Sequence, residues 1–133
     1  MKTLIVEDDF TSRLLLQEIL KRYGAAHIAV NGREAVQAVR TAMEAGDPYD
    51  LICLDIMMPE MDGYEALKTI REMEEAAKVF SGGAKIFMTT ALDGMKNVFQ
   101  AFQGLCDAYL VKPINSAELL EQLHAFDLLS PVP

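Results

Sequence analysis

The sequence predicts a three-layer α/β sandwich of (βα)5 type, built on a five-stranded parallel sheet. Two observations carry that expectation. Five short apolar runs recur along the 133 residues, and each is followed by a longer stretch of helical periodicity. The runs are continuously apolar rather than alternating, as strands read when a parallel sheet is covered on both faces. A strand–helix alternation repeated five times implies right-handed crossovers, which place helices on both sides of the sheet.

Taken in order, Leu4-Ile5-Val6 is the first strand, and Leu15, Ile19, Leu20 and Tyr23 share one face of a helix that Gly24 ends. His27-Ile28-Ala29-Val30 is the second strand; Asn31-Gly32 turns it into a helix striped by Val36, Val39 and Met43. Asp47-Pro48 precedes the third strand, Leu51 to Leu54, and Leu67, Ile70 and Met73 mark the third helix. Ser81-Gly82-Gly83 precedes the fourth strand, Lys85-Ile86-Phe87-Met88, whose helix carries Met95, Val98, Phe99 and Phe102. The stretch from Glu72 to Gly83 is long for such a connection and extends the third helix or its loop. Ala108-Tyr109-Leu110-Val111 is the fifth strand, and Asn115 with Glu118 opens the last helix as a capping box, with Leu119, Leu120, Leu123 and Phe126 on its apolar face. One domain over residues 1–126 accounts for these elements, and Asp127 to Pro133 reads as a frayed tail. Pattern alone does not order five strands. The common open-sheet solution is 2-1-3-4-5, whose crevice lies at the carboxyl ends of strands 1 and 3, so functional side chains should follow those strands.

Composition narrows the function classes. The chain is 51 % apolar and 24 % charged, a globular rather than a disordered balance. A formal net charge of −8 repels a phosphate backbone and argues against direct nucleic-acid binding. Cys53 and Cys106 form no CxxC pair, so neither a disulfide framework nor a zinc spacing can be read. Acidic residues follow the opening apolar run too soon for a signal-peptide core, and no stretch approaches a membrane span. The expected setting is the cytoplasm, away from membranes.

The predicted crevice collects reactive side chains. Strand 1 runs into Glu7-Asp8-Asp9, strand 3 into Asp55, strand 4 into Thr89-Thr90 and strand 5 into Lys112-Pro113. If strands 1 and 3 are neighbours, Glu7, Asp8 and Asp55 converge. Carboxylates packed together must gain a proton, stay solvated or bind a cation, and Mg²⁺ suits a few carboxylates completed by waters and a phosphate oxygen. Lys112 then supplies a mobile point charge and Thr90 a hydroxyl donor. A nucleophile, a charge-neutralising ion and donors facing the equatorial oxygens are the parts phosphoryl transfer needs. Asp55 is the candidate nucleophile: the buried strand fixes its position, and a carboxylate ionised at neutral pH needs no separate base.

These motifs, Val6-Glu7-Asp8-Asp9, Leu54-Asp55-Ile56-Met57-Met58-Pro59-Glu60-Met61-Asp62-Gly63, Thr90-Ala91 and Tyr109-Leu110-Val111-Lys112-Pro113, resemble the response-regulator receiver family of two-component signalling, which has the flavodoxin-like fold. The resemblance runs from residue 4 to 113 and the flanking helices also fit. It implies that Asp55 is the phosphoacceptor, served by a histidine kinase or histidine phosphotransfer protein. It implies Mg²⁺ (or Mn²⁺) held by Glu7, Asp8, Asp55 and the backbone carbonyl of Met57. Thr90 and Tyr109 match the switch pair, Lys112 the phosphate-pairing lysine, and the Lys112–Pro113 bond is expected to be cis. A downstream protein would dock on the face of helix 4, strand 5 and helix 5. The chain would be a stand-alone signal transducer or phosphorelay intermediate, not an enzyme turning over external substrates. Glu7 stands where many members carry Asp, and Met57 and Leu92 occupy positions that modulate phosphoryl lifetime.

Other readings exist for each part. Asp9 reads as a carboxylate feeding the first helix dipole, and Asp62-Gly63 as a turn and helix start. His27 and His124 lack ligand spacing. A phosphatase of the haloacid-dehalogenase type needs a second Asp two residues after the nucleophile, where this chain has Met57. A receiver-shaped module that no longer takes phosphate would lack part of the constellation, and a flavodoxin would need a phosphate loop after strand 1.

Overall fold

Apolar runs too short for helices and rich in branched residues become strands here, and their pairing fixes where the acidic residues meet. The computed structural model describes residues 1–56, 58, 61–78, 83–91 and 105–129. Strands β1 (Thr3–Val6), β2 (Ala26–Ala29), β3 (Leu51–Asp55), β4 (Lys85–Thr90) and β5 (Ala108–Val111) form one parallel sheet of order β2-β1-β3-β4-β5. Helices α1 (Phe10–Leu20), α2 (Gly32–Glu44), α3 (Gly63–Ala76) and a C-terminal helix (Ser116–Ala125) flank it. The fourth helical stretch expected around Met95 to Phe102 lies outside the described residues.

Side chains alternate across each strand, so a continuously apolar strand feeds two cores. Leu4, Val6, Ile52, Leu54, Ile86 and Met88 pack with α2 and α3. Ile5, Leu51, Cys53, Phe87 and Leu110 pack with α1 and the C-terminal helix. Burial on both faces holds throughout β1 and β3. It fails at the edges, where only Ala29 of β2 and Leu110 of β5 are buried, because an edge strand has a neighbour on one side only. Burial of Cys53 pushes its thiol up to about 12. No described helix is long and apolar enough to cross a membrane.

Each of these four α-helices starts on a side-chain cap. Asp9, Asn31, Asp62 and Asn115 accept the backbone N–H of Ser12, Glu34, Glu65 and Glu118, satisfying one orphan donor apiece. Two sequence expectations change. The buried stripe of α1 is Leu16 and Leu20, while Leu15 is exposed; three consecutive leucines leave the helical phase undetermined by pattern. The C-terminal helix closes in a Schellman turn at Asp127 (φ 56°), with Leu128 N–H donating to Leu123 O at 2.9 Å. Leu128 and Leu129 therefore pack on the core instead of fraying.

Candidate functional site

The parallel register Val6↔Leu54 sets the ends of β1 and β3 side by side, so the residues that follow them share one crevice. One carboxylate oxygen from each of Glu7, Asp8 and Asp55 lies within 4.8 Å of the others. Among the described residues, no second trio of His, Cys, Asp or Glu converges in this way. The three differ in environment: Glu7 is fully buried, Asp55 is 4 % exposed, and Asp8 faces solvent.

Lys112, just past β5, brings its ammonium 2.6 Å from Glu7 Oε2 and 3.3 Å from Asp55 Oδ2. Burial disfavours that ammonium, but the Glu7 contact and the charges of Asp55 and Glu7 outweigh it, so its pKa lies above the ordinary lysine value. Lys112 N–H donates to Thr90 O at 2.6 Å, and the Lys112–Pro113 peptide is cis. Glu7 is held from behind: Asp9 N–H donates to its Oε1 at 3.1 Å and Arg13 donates to its carbonyl oxygen at 3.3 Å. Its Oε2 meets Lys112 as a buried ion pair.

Asp9 caps α1 and stands outside the acidic trio; the Ser12 backbone N–H holds its carboxyl below the ordinary value. Thr90 is buried at the end of β4, next to β3. Tyr109 is half-buried on the α2/α3 side, in register with Met88. Met57 lies outside the described residues, as does Leu92.

Sequence reasoning missed what pins the β3–α3 connection. Gly63 N–H donates to Ile56 O at 3.0 Å, and a Cβ on Gly63 would sit 2.3 Å from Asp55 O. Gly32, opening α2, donates to Met61 O at 3.1 Å, and a Cβ there would meet that oxygen at 2.2 Å. The glycine of Asp62-Gly63, eight residues after the nucleophile, was the available signal, but spacing does not reveal that its missing side chain makes room for the Asp55 backbone.

The donor set fits a hard divalent ion. All three candidate ligands are carboxylate oxygens, and set against one ammonium they leave two net negative charges.

Comparison with known proteins agrees with this geometry. The family description "Response regulator receiver domain" matches residues 3–124. The chain is 30 % identical to the chemotaxis protein CheY of Thermotoga maritima, over 92 % of this chain and 94 % of that protein. It is 36 % identical to hybrid signal transduction histidine kinase B of Dictyostelium discoideum, over 92 % of this chain but only 6 % of the kinase. Among solved structures, the receiver domain of the histidine kinase CKI1 from Arabidopsis thaliana, complexed with Mg²⁺ and BeF₃⁻, superposes with a TM-score of 0.76. That match is 29 % identical and covers 93 % of this chain and 89 % of that one.

Proposed function

Because the chain belongs to the response-regulator receiver family, we propose that Asp55 accepts a phosphoryl group from a histidine kinase or histidine phosphotransfer protein in an Mg²⁺-dependent reaction. Receivers of this family are signal transducers, and phosphoryl transfer and Mg²⁺ binding are general to them. The observation that carries the reading for this chain is the meeting of Asp55 with Glu7, Asp8 and the Lys112 ammonium at the strand ends.

The residues divide the work by their surroundings. An Asp55 oxygen attacks phosphorus; the new O–P bond forms as the donor's P–N bond breaks, and the electron pair leaves on the imidazole nitrogen. Positioning and charge stabilisation supply most of the catalysis in such a transfer. Lys112, already on Asp55 Oδ2, faces one added oxygen, and Thr90 faces another with its hydroxyl. Glu7, Asp8 and Asp55, with the Met57 carbonyl, would hold Mg²⁺ or Mn²⁺. Bound there, the ion neutralises charge between the carboxylates and the incoming phosphoryl group. The acyl phosphate is later removed by water, so the chain promotes its own phosphorylation and dephosphorylation without turning over an external substrate.

Signal output follows from Thr90 and Tyr109. Thr90, drawn toward the added oxygens, vacates space that the half-buried Tyr109 turns into, altering the face of the fourth helical stretch, β5 and the C-terminal helix, where a downstream protein docks. Likeness to both a chemotaxis protein and a hybrid kinase supports a stand-alone transducer or a phosphorelay intermediate. Two free cysteines support a reducing, cytoplasmic setting.

Incubation with acetyl phosphate and Mg²⁺, read by phosphate-affinity gel and mass, tests the proposal. Wild type should gain one hydroxylamine-sensitive phosphoryl group, while Asp55→Asn and wild type with chelator gain none. Labelling that persists in Asp55→Asn refutes it.

A further inference from the structure

β5 is the strand on which the proposed chemistry depends, and its own sequence secures it poorly. It has four residues, all apolar, lies at the sheet edge, and buries only Leu110. A strand without polar alternation does not choose its register by burial, yet a one-residue slip would turn every side chain to the opposite face. Tyr109 and Lys112 would then leave their places together.

A polar cluster at the opposite end of the sheet from the acidic site supplies the missing specification. Arg71 of α3 donates from Nε to Leu105 O at 2.6 Å, and its two terminal nitrogens reach Glu74 Oε1 at 2.6 Å, Ala84 O at 2.8 Å and Asp107 Oδ2 at 3.0 Å. The same Asp107 oxygen accepts Ile86 N–H at 2.8 Å, and Asp107 N–H donates to Ile86 O at 2.8 Å. Ile86 and Asp107 stand one step before the first β4–β5 ladder pair, Phe87↔Ala108, so the cluster extends the ladder in one register only. Glu74, itself buried, completes the clamp by accepting Ala84 N–H at 2.8 Å on Oε2. A planar guanidinium with its donors committed to three chain segments has one arrangement that satisfies it.

We propose that Arg71 is a positioning residue: through Asp107 it locks the register of β5 and thereby places Lys112 against Glu7 and Asp55. The inference rests on the reading of Lys112 as the phosphate-pairing lysine, and deepens it by naming what puts that lysine in reach. Displacement of a reacting group by about 1 Å can cost about a hundredfold in rate, so a lock this distant can still control the chemistry.

Arg71→Lys and Asp107→Asn test it; both keep a polar group in place and spare the fold the unpaired charge that Arg71→Met would leave. In each, amide hydrogen exchange of β5, with Lys112 N–H as reporter, should accelerate about tenfold relative to the β1 amides, because opening is local. Phosphoryl uptake from acetyl phosphate should slow about tenfold beside Lys112 and not at all in a Lys112→Ala background, where nothing remains to be positioned. Equal acceleration in β5 and β1, or the same slowing with Lys112→Ala, would overturn the proposal. Failure of wild type to take up phosphate refutes the Asp55 reading instead, and the exchange comparison then decides the register lock alone.

Discussion

Gly63→Ala is a one-carbon perturbation aimed at the backbone that carries Asp55. The added Cβ would lie 2.3 Å from Asp55 O, 2.7 Å from Ile56 Cα and 3.0 Å from Asp55 C, whereas ordinary contact begins at 3.4 Å. All three neighbours are main chain, so no rotamer change relieves the overlap; the strand end must retreat by about 1 Å, the scale at which misplacement costs about a hundredfold in rate. Overpacking of this kind destabilises by about 1–3 kcal/mol. Helix propensity cannot account for a loss, since Ala is the better helix former and the position opens α3. Urea unfolding gives the first quantity, and the time course of phosphoryl uptake from acetyl phosphate gives the second. Gly46→Ala is the control: φ there is +72° with nothing within 4 Å, so it should cost about 1 kcal/mol through the backbone and leave uptake unchanged. A Gly63→Ala protein that takes up phosphate within about twofold of wild type would refute the argument that this close approach sets Asp55 for the reaction.

Two further outcomes follow from the charges. Lys112→Met removes the ammonium that, among the described residues, faces Glu7 and Asp55, so it should slow phosphoryl uptake to a small but still measurable rate while raising Mg²⁺ affinity about tenfold by calorimetric titration; weaker Mg²⁺ binding would contradict the charge balance. Asp9 has a depressed pKa from the Ser12 N–H, so its contribution to stability is present above its ordinary value of 3.8 and lost as pH falls through the lower folded value. The melting temperature of wild type should therefore exceed that of Asp9→Ala at neutral pH, with the gap closing as pH falls below 3.8; a gap constant with pH would show that the carboxylate is not the cap.

Much of the fold was legible because burial imposes period. Strands covered on two faces must be apolar through their length inside the core, and β1 is from Leu4 to Val6 and β3 from Leu51 to Leu54. Helices covered on one face must repeat at 3.6, and Val36, Val39, Leu67, Ile70, Leu119 and Leu123 all reach the core. Degeneracy is where the pattern failed: three leucines in a row left α1 free to turn, and the structure buried Leu16 rather than Leu15. The Schellman turn that seats Leu128 was equally hidden, since an Asp at φ 56° leaves no pattern of its own.

By itself the sequence determined the kinds of groups available and their order: carboxylates after strands 1 and 3, a hydroxyl after strand 4, a lysine after strand 5. Those positions are local, because each stands at or just past the end of the apolar run that forms its strand. Only tertiary structure decided that Glu7 is sealed from water while Asp8 is not, that Gly63 stands against the Asp55 carbonyl, and that Arg71 reaches across to Leu105, Ala84 and Asp107. Each of these is a distance between residues far apart in the chain, set by crossover lengths and side-chain packing, and a one-dimensional pattern carries the period of burial but not the separation of its elements in space.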